Sequence, residues 1–241
     1  MSVLELEKLL APVSPDAPSG EDMEYDPAFQ VMRRAAEGQP ERHMGSSVVP
    51  AEEPDWQLAG SLAAELLMRT KDLRIAVTLT RARLHTEGFV GMRDGLALTR
   101  RLLIELWDSV HPQLDPEEDN DPTERVNALL DLCGRETLLN PVRTTPLVNS
   151  RVFGPVTLRD IEIAEGKIAP PPETDAPSLD MAAINGAFLD CELGGLRQTA
   201  TDITASLADL KGIETAVTER VGAFGQEAGE GGEIRRLRGT N

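Results

Sequence analysis

Three histidines, two cysteines and 41 Asp and Glu residues are the groups in this 241-residue chain that could hold a metal, attack a substrate or move a proton. Their spacing argues against each role. His43, His85 and His111 are scattered, and none has a second His or Cys at metal-ligand spacing. A nucleophilic thiol needs a setting that favours thiolate, whereas Cys133 falls on an expected apolar stripe, the inert setting. Cys133 and Cys191 therefore read as free, buried thiols of a reducing compartment. The run Asp115-Pro116-Glu117-Glu118-Asp119-Asn120-Asp121 invites a calcium reading. It departs from a calcium-binding EF-hand loop, because position six is Asn120 where Gly is needed and position twelve is Val126 where Glu is needed. It reads as a solvated loop leading into a helix cap, with a weak surface cation site as the other reading. No phosphate-cradling, dinucleotide or nucleophile-elbow glycine motif is present in the sequence. Paired carboxylates do acid–base work only when their pKa values diverge, which abundance alone does not supply. The expectation is no catalytic residue, no cofactor and no metal.

Composition says what holds these groups. There are only five Phe, two Trp and one Tyr, so the apolar material is mainly Ala, Leu, Val and Ile. Ala and Leu are strong helix formers, which points to an all-α chain. Lys and Arg total 24, giving a net charge of −17. That charge opposes general binding to a phosphate backbone or an anionic membrane, so neither nucleic acid nor membrane is an expected partner. No apolar run approaches the ~20 residues of a membrane span. The N-terminus lacks the pattern of a signal peptide, so a cytoplasmic location is expected.

Along the chain, residues 1–165 read as an N-terminal multi-helix domain. Asp26-Pro27, Asp72 and Asp121-Pro122 are helix starts, Pro54 opens another helix, and Gly38 and Gly88 are stops. Helices are expected near 2–10, 27–37, 54–67, 73–87 and 91–110. Another begins after Asp121 with Val126, Leu129, Leu130 and Cys133 as its buried stripe, and Thr157 caps one through about Ala164. Residues 38–53 read as a polar mobile loop, and 141–156 as a short extended piece or hairpin. Residues 166–177 are a Pro-rich linker, 178–224 a helical hairpin, and 225–241 a flexible Gly-rich tail.

Two segments stand out. The Pro-rich arm at 12–26 cannot hydrogen-bond to itself and must lie along something. Either Tyr25 and Phe29 pin it to the bundle, or Glu21, Asp22, Glu24 and Tyr25 form an interaction epitope; Asp115, Glu117, Glu118 and Asp119 are a second acidic candidate. The hairpin's second helix carries Leu193, Leu196, Ala200, Ile203, Leu207, Leu210, Glu214, Val217, Val221 and Phe224 in alternating steps of three and four. This is a heptad pattern over ~45 Å of helix. Leu196, Ile203, Leu207, Leu210, Val217 and Val221 form the helix-pairing seam. It is covered by this chain's own bundle or partner helix, or by another copy or protein.

The residues also match a family. The stretch from Val13 to Pro27, Glu53-Pro54-Asp55-Trp56, Arg69 to Arg74 and Thr86-Glu87-Gly88 form the first part of an ordered series. Asp94-Gly95-Leu96, Trp107 to Pro112, Asp121 to Leu129, Thr145-Pro146-Leu147 and Leu158 to Ile161 continue it. Over residues 10–165 the series resembles the ImpA N-terminal family, the amino-terminal part of TssA proteins of the bacterial type VI secretion system. The resemblance implies a cytoplasmic, non-enzymatic assembly protein. Such proteins associate with the baseplate and with the tail sheath and tube, prime or coordinate tail polymerisation, and form homo-oligomers through a C-terminal region. Family members continue into a variable C-terminal domain where this chain ends, so the chain reads as a fragment or a short form. The motif residues Glu21, Asp22, Tyr25, Asp26, Trp56, Asp72, Trp107, His111, Asp121 and Asn127 read as determinants of the fold. The alternatives are a cytoplasmic adaptor or chaperone for a secreted cargo, and an enzyme with an acidic helical site.

Overall fold

The computed structural model describes residues 3–38, 42–44, 47–49, 51–114, 120–170 and 179–227. At its centre α4 (Leu73–Glu87) is buried on nearly every side, between α3 (Trp56–Leu67) and α5 (Phe89–Glu105). Gly88 ends α4 with φ +72° and opens α5, which turns the chain back on itself. Two glycines let the two helices touch. A Cβ on Gly95 would lie 2.5 Å from Thr80 Oγ1, and one on Gly91 only 2.3 Å from the Arg83 carbonyl oxygen. Around this pair, α1 (Val3–Leu10) packs on α5, α2 (Pro27–Glu37) on α3, and α6 (Thr123–Leu130) on α4. Leu66, Leu67, Leu73, Leu79, Leu96 and Leu102 form the heart of the core.

The helix starts at Asp26 and Asp72 are as expected: Asp26 accepts the Ala28 N–H and Asp72 the Arg74 N–H. Asp121 accepts the Thr123 N–H, and Thr157 and Asp160 close a reciprocal capping box. Asp55 caps α3, so that helix begins at Trp56 and not at Pro54.

Mostly helical is the correct class, but two small antiparallel hairpins are present. Residues expected to be a loop form β1 (Arg42–Met44) and β2 (Ser47–Val49). The expected extended piece is β3 (Pro146–Ser150) paired with β4 (Gly154–Thr157). Between α6 and β3 the chain passes through a π-helical turn at Arg135–Leu139 and α7 (Asn140–Thr144). The β3–β4 hairpin packs with α8 (Leu158–Ala164) and α9 (Met181–Asp190) around Val148, Val156, Ile184 and Ala187.

Two expectations fail here for one reason each. Cys133 is exposed, because α6 ends at Leu130 and the following turn sends Leu132 inward in its place. The expected C-terminal hairpin is not the main packing. Helix α9 packs on β3–β4, while α10 (Leu193–Glu227) lies along α5 and contributes Ile213 to the main core. Its inward face is partly polar. Asp202 pairs with Arg93, Asp209 with Arg100 at 2.6 Å, and Arg220 stands 4.9 Å over the Trp107 ring. The two apolar positions of the heptad lie about 60° apart around the helix. Leu210 and Val217 on one of them reach the core, whereas Leu193 at 56% and Leu207 at 52% exposure on the other face solvent.

Candidate interaction site

Three segments far apart in sequence meet at the base of α4. The arm gives Ser19 and Gly20, the α3–α4 junction gives Thr70, Lys71 and Asp72, and the turn after α5 gives Ser109 to His111. Backbone bonds lace them together. The Lys71 N–H donates to the Ser19 carbonyl at 2.8 Å, the His111 N–H to the Lys71 carbonyl at 2.9 Å, and the Leu73 N–H to the His111 carbonyl at 2.9 Å. Thr70 Oγ1 donates to the Glu21 carbonyl at 2.8 Å, and the Ser19 and Ser109 hydroxyls are 2.9 Å apart. His111 Nε2 is 3.1 Å from the Gly20 carbonyl, which accepts only, so Nε2 carries the proton. Against expectation the arm also bonds to itself. The Val13 N–H donates to the Pro18 carbonyl at 2.9 Å, the Gly20 N–H to the Ala17 carbonyl at 3.0 Å and the Asp26 N–H to the Met23 carbonyl at 2.9 Å. Its prolines fold it into tight turns, and the bundle supplies the remaining bonds.

Ion pairs fix the rest of the arm. The Arg74 guanidinium binds Asp72 at 2.7 Å, Asp22 at 2.9 Å and Glu24 at 2.9 Å, and covers the buried Phe29 ring at 5.1 Å. Burial pulls its pKa down, but Asp72 first, then Glu24 and Asp22, outweigh that and hold it above the ordinary arginine value. Asp26 is lowered by the Ala28 N–H and by Arg69, whose guanidinium lies 3.0 Å away. Arg125 does the same work on the far side. It donates to the carbonyls of Pro112 at 2.6 Å, Val110 at 2.8 Å and Trp107, with its guanidinium over the Trp107 ring. Burial pushes its pKa down to about 10, against the pull of the Asp108 charge and with a push from Arg220. It stays cationic at neutral pH.

Lys71 is almost wholly buried, and its ammonium donates to the Leu67 carbonyl at 2.6 Å. Burial lowers its pKa to about 8 from 10.5. Between those values the unfolded chain holds a proton that the folded one has shed, so stability rises with pH across that window. A urea midpoint that climbs from pH 8 to 10.5 in the wild type, and climbs less in Lys71→Met, is the expected result.

The arm's aromatic residues divide. Phe29 and Met23 are buried and pin the arm, as expected for Phe29, but Tyr25 is 90% exposed and pins nothing. Glu21 and Asp22 are exposed beside it and Glu24 is half-buried. The tyrosine thus stands on a loop held rigidly from below, with carboxylates around it. Asp115, Glu117, Glu118 and Asp119 lie outside the described residues. Of the expected seam, Leu196 joins the small hairpin core, Leu210 and Val217 the main core, Val221 is half-buried, and Ile203 and Leu207 are exposed.

A groove beside His85 is walled by Glu87, Phe89, Thr145, Gln198 and Asp202. His85 itself is stacked flat on Trp56 at 4.2 Å, with its pKa lowered by burial and by Arg81. Asp202 is committed to Arg93 and Gln198. Among the described residues no cluster of His, Cys, Asp and Glu is arranged to hold a metal ion.

The sequence profile of the family described as "ImpA, N-terminal, type VI secretion system" matches residues 10–134. The chain belongs to the ImpA N-terminal family. The matched span encloses every residue of the ImpA arm and its bracing, from Ser19 to Arg125. The chain is 46% identical over 221 residues to type VI secretion system component TssA1 of Pseudomonas aeruginosa, covering 92% of this chain. It spans about 63% of that relative's length. It is also similar to a solved structure from Burkholderia cenocepacia, the N-terminal domain that includes the conserved ImpA_N region of TssA. That similarity has a TM-score of 0.71 and 27% identity, over 93% of this chain and 86% of the other. Both similarities cover more of the chain than the family match does, so they take in residues beyond 134.

Proposed function

We propose that this ImpA-family chain is a non-enzymatic scaffold subunit of the type VI secretion system. It associates with baseplate and tail sheath or tube proteins and primes or coordinates tail assembly from the cytoplasmic side. The reading is supported by family membership and by one observation above the others: Tyr25 is 90% exposed on a braced acidic arm. An exposed aromatic on a preorganised loop loses little freedom on binding, and tyrosines are favoured as binding anchors. With Glu21 exposed near it in sequence, and Asp22 and Glu24 half-exposed in their pairs with Arg74, the arm is acidic, so the partner surface is basic and carries an apolar slot for the ring. No helix among the described residues is long and apolar enough to cross a membrane, in keeping with that role. The test is co-purification of the full-length protein from cells carrying the secretion machinery. Recovery of baseplate or sheath and tube proteins is expected; recovery of secreted cargo alone contradicts the scaffold and supports a chaperone.

A further inference from the structure

His111 is buried, and one of its ring nitrogens has no partner. Nε2 carries the proton that meets the Gly20 carbonyl, so Nδ1 presents a bare lone pair inside the protein. It faces Asp22 Oδ2 at 3.9 Å. The other oxygen of that carboxylate, Oδ1, accepts the Arg74 guanidinium at 2.9 Å and the Glu24 N–H at 2.9 Å. Oδ2 takes no hydrogen bond among the described residues. Two acceptors thus stand opposite each other with no hydrogen between them, and the folded arm is one bond short.

We infer that His111 and Asp22 form a proton-operated latch for the arm. A second proton on the ring goes to Nδ1, which then donates to Asp22 Oδ2 while the Nε2 proton stays on Gly20. One imidazolium would tie two residues of the arm, Gly20 and Asp22, to the turn after α5. The movement needed is about 1 Å, from 3.9 Å to the length of a charge-assisted bond. The surroundings accept the charge. Asp22 and Glu24 on the arm, Asp72 at the α3–α4 junction and Asp108 before the ring supply carboxylates. Lys71 at the junction, Arg74 on α4 and Arg125 on α6 supply the cations, one fewer than the carboxylates. A cationic ring completes that balance. The new bond exists only while the arm is docked, so docking tightens as pH falls and slackens as it rises. The latch sets how firmly the arm is held and does not depend on what Tyr25 meets.

Amide hydrogen exchange of the 241-residue chain tests it. The reporter is the Lys71 N–H, whose acceptor is the Ser19 carbonyl of the arm. Its protection factor, already corrected for the intrinsic pH dependence of exchange, is expected to rise roughly tenfold from about pH 7 to about pH 5.5. That window lies below the pH at which Lys71 sheds its own proton. Asp22→Asn places an amide hydrogen against Nδ1 and removes the charge that the second proton would meet, so the rise falls below about twofold with the arm still docked. His111→Gln keeps a donor for the Gly20 carbonyl and takes no second proton, so it flattens the rise as well. A wild-type protection factor that does not change across the window overturns the inference. A rise that survives undiminished in either variant also overturns it.

Discussion

Arg125→Met is expected to cost about 4 kcal/mol of folding stability and roughly 10 °C of melting temperature. Arg125 is among the largest fully buried side chains, and methionine keeps much of its stem. What is lost is the guanidinium, which satisfies the carbonyls of Trp107, Val110 and Pro112 together. Each carbonyl left dry costs about 1–3 kcal/mol, partly offset by no longer burying a charge. These three carbonyls at 107–112 share this one side chain, beside the backbone bonds of His111 with Lys71 and Leu73, and one of the two cations over Trp107 goes as well. Arg125→Lys should rescue little, because one ammonium cannot hold three divergent carbonyls as a planar fork does. Urea denaturation measures the loss. A loss below about 1 kcal/mol would mean that water replaces the guanidinium, and the bracing role would fail.

Arg74→Ala is the second large effect, and it separates the arm from the bundle. Asp72 is fully buried, and its Arg74 guanidinium partner supplies the counter-charge. Breaking a buried pair by removing one partner costs about 3–5 kcal/mol. The pairs with Asp22 and Glu24 are half-exposed and add under about 1 kcal/mol each. They are the ones that hold the arm, however, so its release should exceed what the stability loss alone would give. Limited proteolysis reads this directly: cleavage within residues 12–26 is expected to precede cleavage of the helices. Arm protection equal to wild type at matched stability would show that the backbone ladder through Ser19 suffices by itself.

The lines between legible and hidden follow from physics. Helix starts at Asp26, Asp72 and Thr157 could be read because a cap is a local event between neighbours in sequence. The apolar stripes of α3 to α5 could be read from their periodicity. Arg125 and Lys71 could not. A periodic pattern assigns charged residues to solvent. Arg125 is satisfied by carbonyls before α6, and Lys71, whose ammonium bonds the nearby Leu67 carbonyl, is buried where the arm at Ser19 and the turn at His111 meet over it. Tyr25 was open to two readings, because an aromatic beside a helix cap looks the same whether it packs or protrudes. Its neighbours decide the matter, since Met23 and Phe29 already fill the space under the arm. The heptad in α10 is legible as an apolar stripe, but which of its residues face the bundle depends on the pairs of Asp202 with Arg93 and Asp209 with Arg100 from α5. No local pattern carries that information. The candidate site was legible as a segment and illegible as a geometry.

The central claim is that the ImpA fold braces the arm so that Tyr25 can meet a partner in the secretion machinery. Tyr25→Ala in the full-length protein tests it, with the melting temperature and the recovered partners measured on the same preparation. The account predicts stability within about 0.5 kcal/mol of wild type, because the ring is 90% exposed. It also predicts at least a roughly tenfold loss of co-purifying baseplate or sheath and tube proteins. Undiminished recovery of those proteins by the variant would contradict it.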